Sequence, residues 1–145
     1  MRFRLSVISA LLLVVAGCSH PDTVATVKSP NGRVQATLTE TSQGATTSFE
    51  YVVSLKAVSP EGESVRVASL YGAVRNEQAY GLNLSWLNDQ TLELQYLTAK
   101  AAKLEQPTTV IGGRLIAIRL KAGVLDKSAP PGGMEHNRTH GLNSN

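Results

Sequence analysis

Leu82-Asn-Leu-Ser-Trp-Leu-Asn-Asp-Gln-Thr-Leu-Glu-Leu-Gln-Tyr96 contains two alternating runs separated by one polar turn. Leu82, Leu84 and Trp86 share a parity against Asn83 and Ser85, and Leu92, Leu94 and Tyr96 share one against Glu93 and Gln95. Successive side chains of an extended chain point to opposite faces, so each run reads as a half-buried strand, and Asn88-Asp89 between them as a tight hairpin. Two strands cannot hold such a structure alone; the rest of the chain must supply the surface that buries their apolar face.

Working outward, the same period recurs. Val34, Ala36 and Leu38 alternate with Gln35, Thr37 and Thr39, while Phe49, Tyr51, Val53 and Leu55 oppose Glu50, Ser54 and Lys56. Val65 and Val67 flank Arg66, and Ile116, Ile118 and Leu120 oppose Arg119 and Lys121. Pro30-Asn31-Gly32 and Pro60-Glu61-Gly62 separate strands with a fixed proline φ followed by residues suited to a turn. Such short connections favour antiparallel neighbours, so the expected fold is all-β: an antiparallel meander forming a small sandwich or partly open barrel. Ala99–Glu105 is the one stretch with helical propensity and ends before Pro107, so at most one short helical turn is expected. Gly112-Gly113 fits either a hairpin turn or a bulge in one long strand, and the bulge is expected. Ser29-Pro-Asn-Gly and Ser59-Pro-Glu-Gly read as two similar turns rather than a propeller repeat, because the chain holds too few strands for about four blades.

The N-terminal residues carry a different signal. Met1-Arg-Phe-Arg4 is a short cationic segment, Leu5–Val15 is apolar but too short to span a bilayer, and Val15-Ala-Gly-Cys18 places small residues before the chain's one cysteine. This is the pattern of a bacterial lipoprotein signal. The expected organisation is a signal peptide over 1–17, a lipid-anchored linker over 18–24, a β-domain over 25–126 and a disordered tail over 127–145. Cys18 is the expected lipidation site. Ser19 rather than aspartate after it favours the outer membrane, facing the periplasm, over the inner membrane in a Gram-negative cell.

Removal of Arg2 and Arg4 with the signal lowers the formal charge from +3 to +1. A near-neutral domain offers no electrostatic footprint for nucleic acid, which is excluded as a partner. With Cys18 acylated no thiol remains, so neither a disulfide nor a cysteine metal site is expected and stability must come from the core. Catalysis is argued down by elimination. His20 lies beside the anchor and His136 and His140 lie in the tail, so the patterned middle has no histidine, and its acids, including Glu50 and Glu93, fall on the polar parity of solvated faces. No glycine-rich phosphate loop is present. Glu135, His136 and His140 could share a helical face and hold a metal, but a solvated tail is the simpler reading. No cofactor and no resident metal are expected.

The most distinctive polar segment is Gly44–Phe49. Gly44, Thr46, Thr47, Ser48 and Phe49 read either as a binding loop that presents hydroxyls or as a hydroxyl-stabilised turn between strands. The connection Gly72–Tyr80, flanked by Tyr71, could present Arg75, Asn76, Glu77 and Gln78 to a partner. Trp86 and Tyr96 follow the inward parity and are assigned to the core.

Ser29-Pro-Asn-Gly-Arg33, Gly44-Ala-Thr-Thr-Ser-Phe49, Val53-Ser-Leu55 and Trp86-Leu-Asn-Asp-Gln-Thr-Leu-Glu-Leu-Gln-Tyr96 together resemble a family of small, uncharacterised bacterial exported proteins and lipoproteins. In that family a cysteine often precedes the Gly-Ala-Thr-Thr segment. This chain has Gln43 there, so any thiol role at that position is absent. The resemblance implies a compact exported β-domain and no mechanism.

The expectation that follows is a lipid-anchored envelope domain, noncatalytic, that meets the membrane through its anchor and binds another envelope protein or a cell-wall component. Two alternatives stand beside it: an inhibitor or immunity-type lipoprotein with one protruding loop, and metal handling through the C-terminal tail.

Overall fold

The computed structural model describes residues 20–126 except 43, 45, 60 and 61. The described chain is all-β. Strands β1 (Asp22–Lys28), β2 (Val34–Thr41), β3 (Glu50–Ala57) and β4 (Val65–Tyr71) form an antiparallel meander, extended at its edge by β9 (Ala101–Leu104). A second sheet has the order β10 (Thr108–Ile111), β11 (Arg114–Lys121), β8 (Thr91–Gln95) and β7 (Asn83–Asn88). A two-residue ribbon, β5 (Arg75–Asn76) and β6 (Ala79–Tyr80), stands apart from both. The two main sheets pack face to face as a small sandwich that does not close into a barrel.

The alternating parities build one core between the sheets. Val34, Ala36 and Leu38 from β2, Tyr51, Val53 and Leu55 from β3, Leu92 and Leu94 from β8, and Ile116 and Ile118 from β11 are all buried in one cluster. In β4 the alternation slips: Val53 pairs with Ala68 but Ser54 with Arg66, leaving Val67 as the extra residue of a bulge. Val67 and Ala68 are therefore both buried, and Leu70 continues the shifted parity. Trp86 and Tyr96, assigned to the core, pack against its margin and are only partly buried. The Trp86 indole Nε1 donates to the Val27 carbonyl at 3.3 Å, which ties the edge of one sheet to the edge of the other.

Four expectations are corrected. Ala101–Leu104 is a strand and not a helical turn, with Ala68 opposite Leu104 and Tyr71 opposite Ala101. A stretch this short cannot nucleate a helix on propensity alone, whereas the open edge of β4 offers it a backbone ladder. Gly112-Gly113 is a hairpin turn between β10 and β11 rather than a bulge, with φ of 56° and 76°, the mirror-image geometry that matches strand twist. The second sheet is mixed: β11 runs parallel to β8, with Ala117 opposite Thr91 and Lys121 opposite Gln95. Residues 96–113 make the crossover by adding β9 to the first sheet and returning as β10, so strands do what a helix usually does. Finally, β1 begins at Asp22, inside the expected linker, because β2 is long enough to pair Asp22 with Glu40 past a bulge at Thr23/Ala25.

The strand directions give the sandwich two distinct ends. The entry end carries Asp22, the β2–β3 connection, residues 72–82 and 96–100, and the exit of the chain toward Asp126. The far end carries the turns at Pro30–Gly32, Ser59–Gly62, Asp89-Gln90 and Gly112-Gly113. The expected signal peptide, Cys18 and the expected tail from Lys127 lie outside the described residues.

Candidate functional site

Polar chemistry concentrates at the entry end. Glu40 follows Leu38 on the inward parity of β2 and is 3% exposed. Arg75 reaches it from β5, with Nη1 3.3 Å from Glu40 Oε1, and the guanidinium carbon lies 4.1 Å from the centroid of the Phe49 ring. Two charges taken out of water persist only when they face each other closely, and the ring face adds a cation–π contact on the guanidinium's other side. The Tyr51 hydroxyl lies beside this pair but outside hydrogen-bonding geometry. Burial pushes its pKa well above the ordinary phenol value, and Glu40 adds to the rise while Arg75 opposes it.

A second set of contacts fixes the neighbouring loop. Lys100 Nζ donates to Ser48 Oγ at 2.7 Å, the Ser48 amide donates to the Tyr71 hydroxyl at 3.2 Å, and the Gly72 amide donates to the Phe49 carbonyl at 2.9 Å. Gly72 has φ 63°, and a Cβ there would meet the Lys100 stem at 2.8 Å, so both its backbone and its missing side chain are required. Thr47 donates to the Gly44 carbonyl from its amide, at 3.2 Å, and from its hydroxyl, at 3.0 Å.

The residues singled out in the sequence therefore meet in one place, with different roles. In Gly44–Phe49, the Thr47 hydroxyl closes its own turn, Ser48 is held by Lys100 and Tyr71, and Phe49 lies under Arg75; Thr46 is exposed. Arg75 is not presented to a partner, because Glu40 and Phe49 hold it inward. Asn76 and Gln78 close the β5–β6 ribbon through a bond from the Gln78 amide to Asn76 Oδ1, and the Gln78 carbonyl receives the Asp126 amide. Among the described residues no group of three His, Cys, Asp or Glu is placed to hold a metal ion. Glu135, His136 and His140, the residues of the alternative metal reading, lie outside the described residues.

Glu40 was missed in the sequence although its signal was there, since it extends the Val34, Ala36, Leu38 alternation by one inward step. Glu93 corrects the reading of solvated acids. It sits on the outer face of β8, a central strand, yet is nearly covered, with Gln95 donating to it at 2.8 Å and Lys121 3.3 Å away. The Gln95 bond, then Lys121, hold its carboxyl below the ordinary range. Glu50, in contrast, is partly exposed and shares Arg66 with Glu105.

The arrangement can clamp: the ion pair joins the end of β2 to the 72–80 connection, the Gly72 amide joins that connection to Phe49, and Lys100 ties the 96–100 segment to the β2–β3 loop. No family model, no curated protein and no solved structure matches this chain.

Proposed function

We propose that the chain is an envelope lipoprotein anchored through Cys18, whose β-domain is a noncatalytic binding module held close to the membrane surface. The observation that carries this reading is the start of β1. Asp22 follows the proposed lipidated cysteine by four residues, a span of at most about 14 Å, so the entry end is the end held toward the bilayer and the far end is displayed outward. Acyl chains contribute about 0.8 kcal/mol per buried methylene, and two or more make an anchor that does not exchange.

The use of the charged groups supports binding over catalysis. Arg75 with Glu40, Arg66 with Glu50 and Glu105, and Lys121 with Glu93 are ion pairs that join separate strands and loops. The clamp at the entry end supports a rigid scaffold, which is what a recognition surface needs.

Metabolic labelling with radioactive palmitate, followed by membrane fractionation, tests the anchor. Wild type is expected to take up label and sediment with the outer membrane, and Cys18→Ala to lose the label. An unlabelled wild type recovered as soluble periplasmic protein would sink the reading.

A further inference from the structure

The far end has a surface character found nowhere else on the described chain. Four of the six large apolar side chains that stand exposed are there: Val58, Leu87, Val110 and Leu115. Val110 and Leu115 are register partners on the outer face of the β10–β11 hairpin, 63% and 58% exposed. The Val110–Leu115 pair, open side by side with two more exposed apolar side chains at the same end, is more than single scattered residues.

Beside it runs a groove of about 410 Å³ between the ends of β3 and β4 and the β10 hairpin, lined by Ala57, Val65, Val110 and Ile111 and by Glu63 at its rim. A shallower hollow of about 250 Å³ adjoins it through Ala57 and Ser59 and is lined by Lys56 and Val58. Gly62 and Gly112 shape the groove: a Cβ on Gly62 would strike the Ala57 carbonyl oxygen, and one on Gly112 would press on the Ala57 methyl at 3.2 Å.

Two further observations define the occupant. β10 is an edge strand, paired only with β11. The closing pair Ile111/Arg114 and the bond from the Ile118 amide to the Pro107 carbonyl fix its register, so the backbone groups of Thr108 and Val110 point away from β11 and stand open to another strand. The second observation is charge. Lys28, Arg33, Lys56 and Arg114 all lie at this end, and none is in an ion pair among the described residues. The described acids there are Glu63 and Asp89, whose carboxylate accepts the Asn31 amide at 2.7 Å.

We infer that the far end docks an extended, acidic and partly apolar segment of a partner protein, added as a strand along β10 with its apolar side chains on Val110, Leu115 and the groove and its carboxylates on Lys56 and Arg114. Strand addition draws on main-chain bonds for affinity and on alternate side chains for specificity, which suits an open edge with the apolar pair Val110 and Leu115 on one face of the hairpin and Arg114 on the other. A second copy of this chain is a poor occupant, because its own free edge, Thr108–Ile111, carries no carboxylate to meet Lys56 and Arg114. The assignment rests on the reading of the domain as a binding module, and not on the anchor.

The test uses the lipidated full chain in phosphatidylcholine nanodiscs and a fluorescent twelve-residue peptide of alternating glutamate and valine, with a lysine–valine peptide as counterpart. Fluorescence anisotropy is expected to show binding of the acidic peptide, weakening as salt rises. Lys56→Glu with Arg114→Glu should weaken it by about tenfold or more, and Val110→Ser with Leu115→Ser by a comparable factor. All four positions are at least partly exposed, so these variants keep the fold. Equal binding of the lysine peptide, or binding unchanged in both variants, overturns the proposal. A photo-crosslinking residue placed in cells at Val110, and in parallel at Thr46, separates this from the broader reading. Crosslinks from Val110 that vanish with the charge reversal support the docking edge. Crosslinks from Thr46 alone keep the binding module and move its surface to the entry end, while none from either position removes both.

Discussion

Glu40 occupies a position that the alternation of β2 reserves for an apolar side chain, and it is tolerable there because Arg75 faces it. Removing one partner of such a pair leaves an uncompensated buried charge, so Arg75→Ala is expected to destabilise the domain by roughly 3–5 kcal/mol, whereas Glu40→Leu with Arg75→Met should lose much less. Urea denaturation of the single and double variants checks this. Tyr51 beside the pair makes a second prediction. Its pKa is raised in the folded chain, so its contribution to stability is complete below the ordinary phenol range, about pH 10, and falls as pH climbs through and beyond it. Wild type should lose stability steeply in alkaline denaturation series, and Tyr51→Phe should flatten that loss. Of these residues, Tyr51 was legible in the sequence as an inward position, and Glu40 lies one inward step beyond the alternation that was read. Arg75 was not, because the contact spans 35 residues and depends on how the β5–β6 ribbon folds back.

Elements that alternate cleanly over five or more residues were readable, and those decided by a neighbour's edge were not. β2, β3, β8 and β11 face the core as their parity dictates. β9 became a strand because β4 had an open edge, and the bulge in β4 shifted a parity that Val65 and Val67 alone had suggested. The β10–β11 turn also has a local test. Gly112 combines positive φ with contact to Ala57, so Gly112→Ala should cost about 1–2 kcal/mol or more. Gly113 has positive φ but open space, so Gly113→Asn should change stability by only a few tenths of a kcal/mol, as a thermal melt would show. Acid sensitivity belongs to this scale as well. Burial pushes the Glu105 carboxyl up, but Ser69 and Arg66 outweigh it and hold it below the ordinary range, as Gln95 and Lys121 do for Glu93. The stability these acids lend is present above the unfolded glutamate value, about 4.3, and is lost as pH falls through their lower folded values. Melting temperatures between about pH 6 and pH 3 should therefore drop in wild type and drop less in Glu105→Gln.

Among the described residues one hydrophobic cluster takes side chains from both main sheets, so the β-domain should unfold as one unit: tryptophan fluorescence from Trp86 and far-ultraviolet circular dichroism should trace the same urea transition. Fold class was legible because nearly every alternating run feeds that cluster. The mixed pairing was not, since nothing in the local pattern of β8 announces that its neighbour will arrive from beyond two other strands. That parallel contact also sets an order of assembly. The β1–β4 meander is joined by short local connections and can zip as soon as its four strands are synthesised. The second sheet cannot, because β8 waits for β11, and β11 reaches it only after the intervening chain has doubled across the first sheet. Until β11 is made, Leu92 and Leu94 lie beside an unfilled slot, and the growing domain keeps one side of its core open to water.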